Sequence, residues 1–432
     1  MPEFLKVKTP EEIINIIRGF EPLEAETVPL GAACGRVLAG PLFAPEPVPH
    51  FARAVMDGYA VRAKDTFGAS ETMPGLLEVG GEVFMGEAVN LRLEPGRAIA
   101  VPTGGMLPAG ADAVVMVEHT CLLDEKTIEV TKPVAPGDNI LGEGEDIPAG
   151  KELYPAGWRL RPQDVGVLAA LGLSRIDVHR VPVVAVFSTG DEIVPVSTTP
   201  LPPGRIRDIN TFSLAAQIVE TGGTVGARET IEDNLDSLVR ACRDALVSHD
   251  VVLLSGGSSV GVRDFTLQIL DAFEDAELLA HGVAIRPGKP TILARIGKKV
   301  FWGLPGQPMS ALMVCKAFVA PSLAVLEGLK GSGFRELAGN TRNAILARQI
   351  PSVHGRTDCV PVVLCTSSDG RCLATPLFGK SATIGILGKA DGYVMIPEHV
   401  EGLEQGTEIL TYLFSHWYGT STGEQAAESL PD

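Results

Sequence analysis

From Val181 onward the chain repeats one pattern: a short apolar run, a glycine-rich turn, then a segment of helical periodicity. VPVVAVFSTGDE, DVVLLSGG and KVFWGLPG are apolar runs that break at glycine. TFSLAAQIVETGG, NLDSLVRACRDALVSHD, DFTLQILDAF and PMSALMVCKAFVAPSLAVL carry the 3.6-residue stripe, with TVGARETI and TILARI as further strands. A continuous apolar run has no polar face to offer water, so such a strand must be covered on both sides. Helices that alternate with strands at roughly 30-residue spacing supply that cover, which makes residues 181–331 a doubly wound α/β domain around a parallel sheet. Ligands of such sheets bind beyond the carboxyl ends of the strands. STGDE, LSGGSSVG and GLPGQP all fall there.

A chain of 432 residues is too long for one core. In TPEEIINIIRG, Thr9 is placed to cap a helix, Pro10 to start it and Glu12 to complete a capping box; Ile13, Ile14, Ile16 and Ile17 form its apolar stripe and Gly19 ends it. LGAACGRVLA gives a second short helical reading, and RPQDVGVLAALGL a third with Gly172 as its stop. Between them GLLEVGGEVF, RAIAVPTGG, DAVVMVEHT and KTIEVTKPV are short, β-rich and broken by turns. The expectation is a discontinuous helical domain (1–46 and 143–180) with a β domain (47–142) inserted into it. Beyond the α/β domain the helices stop. RNAILARQI, DCVPVVLC, CLATPL, DGYVMIP and TEILTYLF, with a hairpin at Ser368-Asp369-Gly370, predict a small C-terminal β barrel or sandwich over 332–416 and a disordered polar tail over 417–432.

The net charge of −17 disfavours nucleic acid and anionic membranes as partners, and requires a local cationic cluster for any anionic ligand. Seven cysteines without a C-x-x-C pair disfavour structural zinc and suit reduced thiols in a cytoplasm; Cys359, Cys365 and Cys372 read as small apolar strand residues. No signal-peptide segment and no run approaching about 18 apolar residues is expected. The eight histidines form no H-x-x-x-H, and G-x-S-x-G is absent, which disfavours zinc hydrolysis and Ser-His-Asp chemistry.

The turn Ser255-Gly256-Gly257-Ser258-Ser259-Val260-Gly261 follows a strand and precedes a helix expected to begin near Asp264. Successive N–H groups at a helix start suit phosphate, although the same glycines also serve a plain tight turn. A carboxylate beside bound phosphate is repulsive unless a cation bridges them, so Asp264 is either an N-cap or a ligand for a divalent ion such as Mg²⁺. Asp57 in AVMDGYAV, Asp146 in GEDI and Glu192 in STGDE share its setting; a β-turn, a solvated loop and a helix start are their plainer readings. Arg286 and Lys289 in RPGKP, held between prolines and a glycine, supply an oxyanion fork and a point charge, or else a solvated basic turn. Thr103 in VPTGG offers a hydroxyl or shapes a turn. Pro305 and Pro308 in GLPGQP shape the last strand-to-helix loop.

AVMDGYAV, PTGGMLPAGADAVVMVE, GEDI, STGDE, GRIRDIN, SGGSSVGVRDFT, RPGKP and GLPGQP, in this order, resemble the molybdopterin molybdenumtransferase family, the MoeA type that includes the E domain of gephyrin. The resemblance runs from about residue 5 to 415. It implies an elongated, four-domain homodimer subunit whose third domain is similar to molybdopterin adenylyltransferases. The implied reaction takes adenylylated molybdopterin and molybdate, uses Mg²⁺ and releases AMP. By the same resemblance Asp57, Thr103, Asp146, Glu192, Asp264 and Lys289 are catalytic. Asp57, Asp146, Glu192 and Asp264 then hold metal, while Ser255, Gly256, Gly257, Ser258, Gly261, Arg286, Lys289, Pro305 and Pro308 bind substrate. The implied site joins the third domain of one subunit to the second domain of the other. Handover with molybdopterin adenylyltransferase and molybdoenzyme-maturation proteins is a further implication. This chain departs from the family in having Arg286 where Lys is frequent and Gly306-Gln307-Pro308 where G-N-P is usual. Two other classes stay open: an adenylyltransferase or nucleotide pyrophosphatase on the same α/β domain, and a non-catalytic scaffold.

Overall fold

The computed structural model describes residues 7–256, 260–330, 340–379 and 383–414, the side chains of 260–264 excepted. It divides into two compact units. One contains the N-terminal residues through Glu26, residues 35–39 and the chain from Asp177; the other contains Thr27–Cys34 and Gly40–Ile176.

The first unit is built on a six-stranded sheet in the order Thr224–Ile231, Val183–Thr189, Val251–Gly256, Lys299–Leu304, Ile292–Ile296, Ala276–His281. The first four strands are parallel. The last two run antiparallel to their neighbours, which differs from an all-parallel expectation. Only Gly297 and Lys298 separate Ile296 from Lys299. A parallel crossover needs a dozen or more residues, so this link must be a hairpin, and Gly297 takes the left-handed φ of +57° to close it.

Side chains alternate between the two faces of each strand. Val184, Val186, Val251, Leu253, Val300 and Trp302 join one core with Leu214 and Ile218 of the helix Asn210–Thr221. Ala185, Phe187, Val252, Leu254 and Phe301 join another with Leu238 and Cys242 of Leu235–Ser248 and Ile269 of Val260–Asp271. Each fully buried large side chain contributes about 1.5–3 kcal/mol relative to exposure. Both faces are covered, as the continuous apolar strands require.

The first core also takes in Ile13, Ile14 and Ile17 of the helix Pro10–Arg18. Its capping box forms as expected: Glu12 N–H donates to Thr9 Oγ1 at 3.2 Å and Thr9 N–H to Glu12 Oε2 at 2.7 Å. The helical reading of LGAACGRVLA fails: only the 3-10 turn Leu30–Ala32 forms. Gly31 lowers helix propensity there, and Gly35 adopts φ +81°, which an α-helix excludes.

The segment Pro308–Leu326 corrects another expectation, because this 19-residue helix is long and apolar enough to cross a membrane by length and composition. Most of it is buried inside the unit, so its hydropathy serves a helix surrounded by core on nearly every side. It runs as α-helix over Pro308–Val314, π-helix over Cys315–Val319 and α-helix over Ala320–Leu326. Pro321 has no N–H to donate back along the helix, and the π segment sits just before it.

The strands Thr341–Leu346, Thr357–Thr366, Cys372–Pro376, Gly392–Ile396 and Glu408–Leu413 close into a five-stranded barrel, since Thr357–Thr366 pairs with both Cys372–Pro376 and Gly392–Ile396. Leu346, Val362, Leu364, Ala374, Val394 and Ile396 fill it. The hairpin at Ser368-Asp369-Gly370 forms, with Gly370 at φ +82°. The expected tail, 417–432, lies outside the described residues.

The second unit carries a six-stranded sheet ordered Ala113–Met116, Gly58–Val61, Arg97–Val101, Gly75–Glu82, Thr127–Val130, Thr120–Leu122. Its helix Pro162–Ala170 is anchored at its start by buried Asp164, which accepts from Arg161 N, Arg161 Nε, Arg161 Nη2 and Trp158 Nε1 at 2.9–3.0 Å. Hydrogen bonds from the Arg161 side chain lead in holding that carboxyl well below the usual range, against its burial. Gly172 follows at φ +71°, ending the helix as expected.

Candidate active site

At the carboxyl end of the parallel strands in the first unit lies a pocket. Ser188 and Thr189 line it from one strand and Ser255 and Gly256 from the next; Glu192, Arg207, Asp208, Asn210, Gly306 and Pro308 complete its polar rim and loops. Parallel pairing sets Ser188 beside Ser255 and Thr189 beside Gly256, so two adjacent strands deliver hydroxyls and a side-chain-free backbone to one place. Glu192 folds back over Gly190, where an added Cβ would stand 2.8 Å from its Oε2. Glu192 thus lines the pocket from the turn that follows this strand. The helix-start reading of Glu192 is not met, because a turn and the short strand Ile193–Val194 follow instead.

The structure thus brings together Glu192, Ser255, Gly256 and Pro308. Pro305 is tied in through its carbonyl, which accepts from Ser255 Oγ at 3.2 Å. Gly257 and Ser258 lie outside the described residues. The helix after them begins at Val260, so Asp264 sits one turn inside it rather than at its cap. The side chain of Asp264, like residue Gly261 beyond its helical backbone, also lies outside the described residues.

Arg286 and Lys289 do not line that pocket. They stand exposed on the turn 283–291, which closes on itself: Val283 N–H donates to Lys289 O at 3.0 Å and Thr291 Oγ1 to Gly288 O at 2.7 Å. Gly288 is obligatory there, with φ +118° and room for no Cβ, since Val314 Cγ2 would be 2.5 Å away. Ile285–Arg286 pairs with Thr357–Asp358 of the barrel, which fixes the backbone from which the Arg286 side chain projects.

In the second unit the register Gly58↔Val101 carries Asp57 beside Thr103. Asp57 Oδ1 accepts from Thr103 N–H at 2.7 Å and from Thr103 Oγ1 at 2.8 Å. These bonds, the backbone one first, lower the Asp57 pKa below the ordinary carboxylate value. Gly58 is a packing requirement: a Cβ would stand 2.0 Å from Val115 O. Asp146 lies in a loop zipped to 48–49 by backbone bonds, its own N–H donating to Val48 O at 3.2 Å. Among the described residues no group of three or more His, Cys, Asp or Glu side chains is placed to hold a metal.

Sequence reasoning missed Ser188, Thr189, Asp208 and Asn210 as pocket residues. The signal lay in GRIRDIN: Asp208 accepts from Thr211 N–H at 3.1 Å, capping the helix that Asn210 begins, and from Thr230 Oγ1 at 2.9 Å.

Three family models cover nearly the whole chain: the MoeA N-terminal region (domains I and II) over residues 8–172, a probable molybdopterin binding domain over 185–325, and the MoeA C-terminal region (domain IV) over 343–414. Molybdopterin molybdenumtransferase of Bacillus subtilis (strain 168) is 33% identical over 403 residues, covering 92% of this chain and 91% of the relative. The chain belongs to the molybdopterin molybdenumtransferase family. A second such relative, from Nostoc sp. (strain PCC 7120), is 36% identical over 309 residues, covering 71% of this chain and 70% of its own. The solved molybdopterin biosynthesis MoeA protein of Pyrococcus horikoshii OT3 shares 31% identity at a TM-score of 0.80, covering 94% of this chain and 100% of that one. The strand-end pocket of this family member lies within the span of the molybdopterin-binding model, and the Asp57–Thr103 pair within that of domains I and II.

Proposed function

We propose that this transferase moves molybdenum from molybdate to adenylylated molybdopterin, with Mg²⁺-dependent release of AMP, as a cytoplasmic homodimer in molybdenum cofactor biosynthesis. The observation that carries the reading is kinship over nine-tenths of the chain with a molybdopterin molybdenumtransferase. The geometry supports it in its parts. Asp57 stays ionised at neutral pH, and both Thr103 bonds fall on Oδ1, which leaves Oδ2 to face a cation. Mg²⁺ binds through one or two carboxylates plus substrate phosphates rather than an all-protein cage, so isolated carboxylates fit it. We place Asp57, Asp146, Glu192 and Asp264 as its candidate ligands; when bound, the ion neutralises the pyrophosphate that links pterin phosphate to adenylate.

Ser255, Gly256, Gly257, Ser258 and Gly261 would hold phosphate at the strand end, with Pro305 and Pro308 shaping the opposite wall. Arg286 offers a planar fork to an oxyanion and Lys289 a point charge. The residues act by position and charge, and no covalent intermediate on the protein is required. The substrate would come from a molybdopterin adenylyltransferase and the product pass to molybdoenzyme-maturation proteins.

Purified protein given adenylylated molybdopterin, molybdate and Mg²⁺ is expected to release AMP, and to stop when either molybdate or Mg²⁺ is withheld. Conversion of ATP and molybdopterin to the adenylylated pterin would instead show an adenylyltransferase. No turnover with either substrate, and no rescue of a cofactor-deficient strain, would leave the scaffold reading.

The homodimer carries its own test. Mixed Asp57→Ala and Asp264→Ala subunits are expected to regain part of the activity that each lacks alone. Verified mixed dimers without such recovery would show that one subunit supplies the whole site.

A further inference from the structure

We propose that Asn210 is a positioning residue that sets the height of the Pro305–Gly306 loop over the pocket, an inference that rests on the transferase reading of that site. Asn210 opens the helix Asn210–Thr221 and is 6% exposed. Its Nδ2 donates to Gly306 O at 2.8 Å and to Ser255 Oγ at 2.6 Å, and Ser255 Oγ donates onward to Pro305 O at 3.2 Å. A carbonyl can only accept, so Gly306 O dictates which way the amide faces. The amide thus joins three pieces of chain that are distant in sequence: the start of one helix, the end of the strand Val251–Gly256, and the loop leading into Pro308–Leu326.

The rest of the side chain shows that packing is not its purpose. Asn210 Oδ1 is buried and has no hydrogen-bond partner among the described residues, as is also true of Ser188 Oγ on the adjacent strand. A buried amide with one end unpaired is a costly filler where an apolar residue would suffice. Its two N–H bonds are what the site needs. Ser255, Gly306 and Asn210 all line the pocket, so loop height decides how closely backbone groups approach a bound pterin phosphate.

The test compares Asn210→Ala and Asn210→Asp with the unmutated protein in the molybdate-dependent AMP-release assay. Asn210→Ala is expected to raise KM for adenylylated molybdopterin about tenfold, the equivalent of one lost hydrogen bond, with kcat within roughly twofold. Asn210→Asp keeps the volume but sets a carboxylate against Gly306 O, so it should be at least as damaging. Leu214→Ala, in the core of the same helix, is the control for a merely structural role: it should lower the melting temperature with KM unchanged. An unchanged KM in soluble, folded Asn210→Ala or Asn210→Asp would overturn the proposal, as would an equal rise in KM for Leu214→Ala. Absence of turnover by the unmutated protein would instead defeat the transferase reading beneath it.

Discussion

Asp57→Ala is expected to lower molybdate-dependent AMP release by roughly 10²–10³-fold, the scale on which one preorganised polar group at a reacting centre is felt, while thermal unfolding stays unchanged. The carboxylate is exposed, and its two hydrogen bonds both run to the neighbouring residue Thr103, so its removal leaves no buried partner unsatisfied. Thr103→Val removes the hydroxyl and keeps the N–H bond. It should therefore cost less, about 10-fold, as expected of a residue that orients a ligand rather than being one. The pH profile adds an independent readout. Because Thr103 lowers the Asp57 pKa, any acid limb due to this carboxylate lies below the ordinary value, and Thr103→Val should move it upward. Steady-state assays of the two variants from pH 4 to 8 check both statements. An Asp57→Ala enzyme that keeps more than about a tenth of the activity would remove this residue from the mechanism.

Asp250→Ala should have the largest effect on stability, a loss of about 1.5–3 kcal/mol in urea unfolding of the whole chain, the scale of charge-assisted hydrogen bonds, because Arg180 and Lys299 are each about one-third exposed and stay hydrated without it. Asp250 is 4% exposed. Its carboxylate accepts from Arg180 Nη1 and Nη2 at 2.9 and 2.7 Å and from Val183 N–H at 2.9 Å, with Lys299 Nζ at 3.5 Å. It pins the amino ends of three adjacent parts of the sheet, at the edge opposite the pocket. Burial pushes its pKa up, but the Arg180 hydrogen bonds, the Val183 N–H and the nearby cations outweigh burial, and the net direction is down. The folded pKa is therefore below the unfolded one. The stabilisation is fully present above the unfolded carboxylate value near 4 and is lost as pH falls through the folded value. The unmutated protein should weaken on acidification through this range, and Asp250→Ala should lack that component. A loss under about 1 kcal/mol would show that the network only satisfies itself.

Much of this was legible from local rules. The capping box of Thr9 and Glu12, the glycine stop at Gly172 and the hairpin at Gly370 each depend on residues within a few positions of one another, so propensity and turn chemistry suffice to read them. LGAACGRVLA misled because its apolar spacing suggested a helix that Gly31 and Gly35 do not support. PMSALMVCKAFVAPSLAVL was legible as one helical segment, and what the sequence did not convey is how completely the fold buries it. Its lone charge, Lys316, donates to Phe414 O at 3.0 Å, just past the barrel strand Glu408–Leu413, so the fold accommodates it.

The sequence by itself determined which segments become strands ending in glycine, which helices cover them, and that Asp57 and Glu192 fall at element ends, because each of these follows from periodicity and backbone freedom within one segment. Only the tertiary structure decided that the isoleucines of Pro10–Arg18 enter the α/β core, that Arg286 and Lys289 stand on a turn apart from the strand-end pocket, and that Asn210 links Ser255 to Gly306. Those are contacts between residues 45 to several hundred positions apart. They depend on sheet order and loop height, which no local pattern encodes.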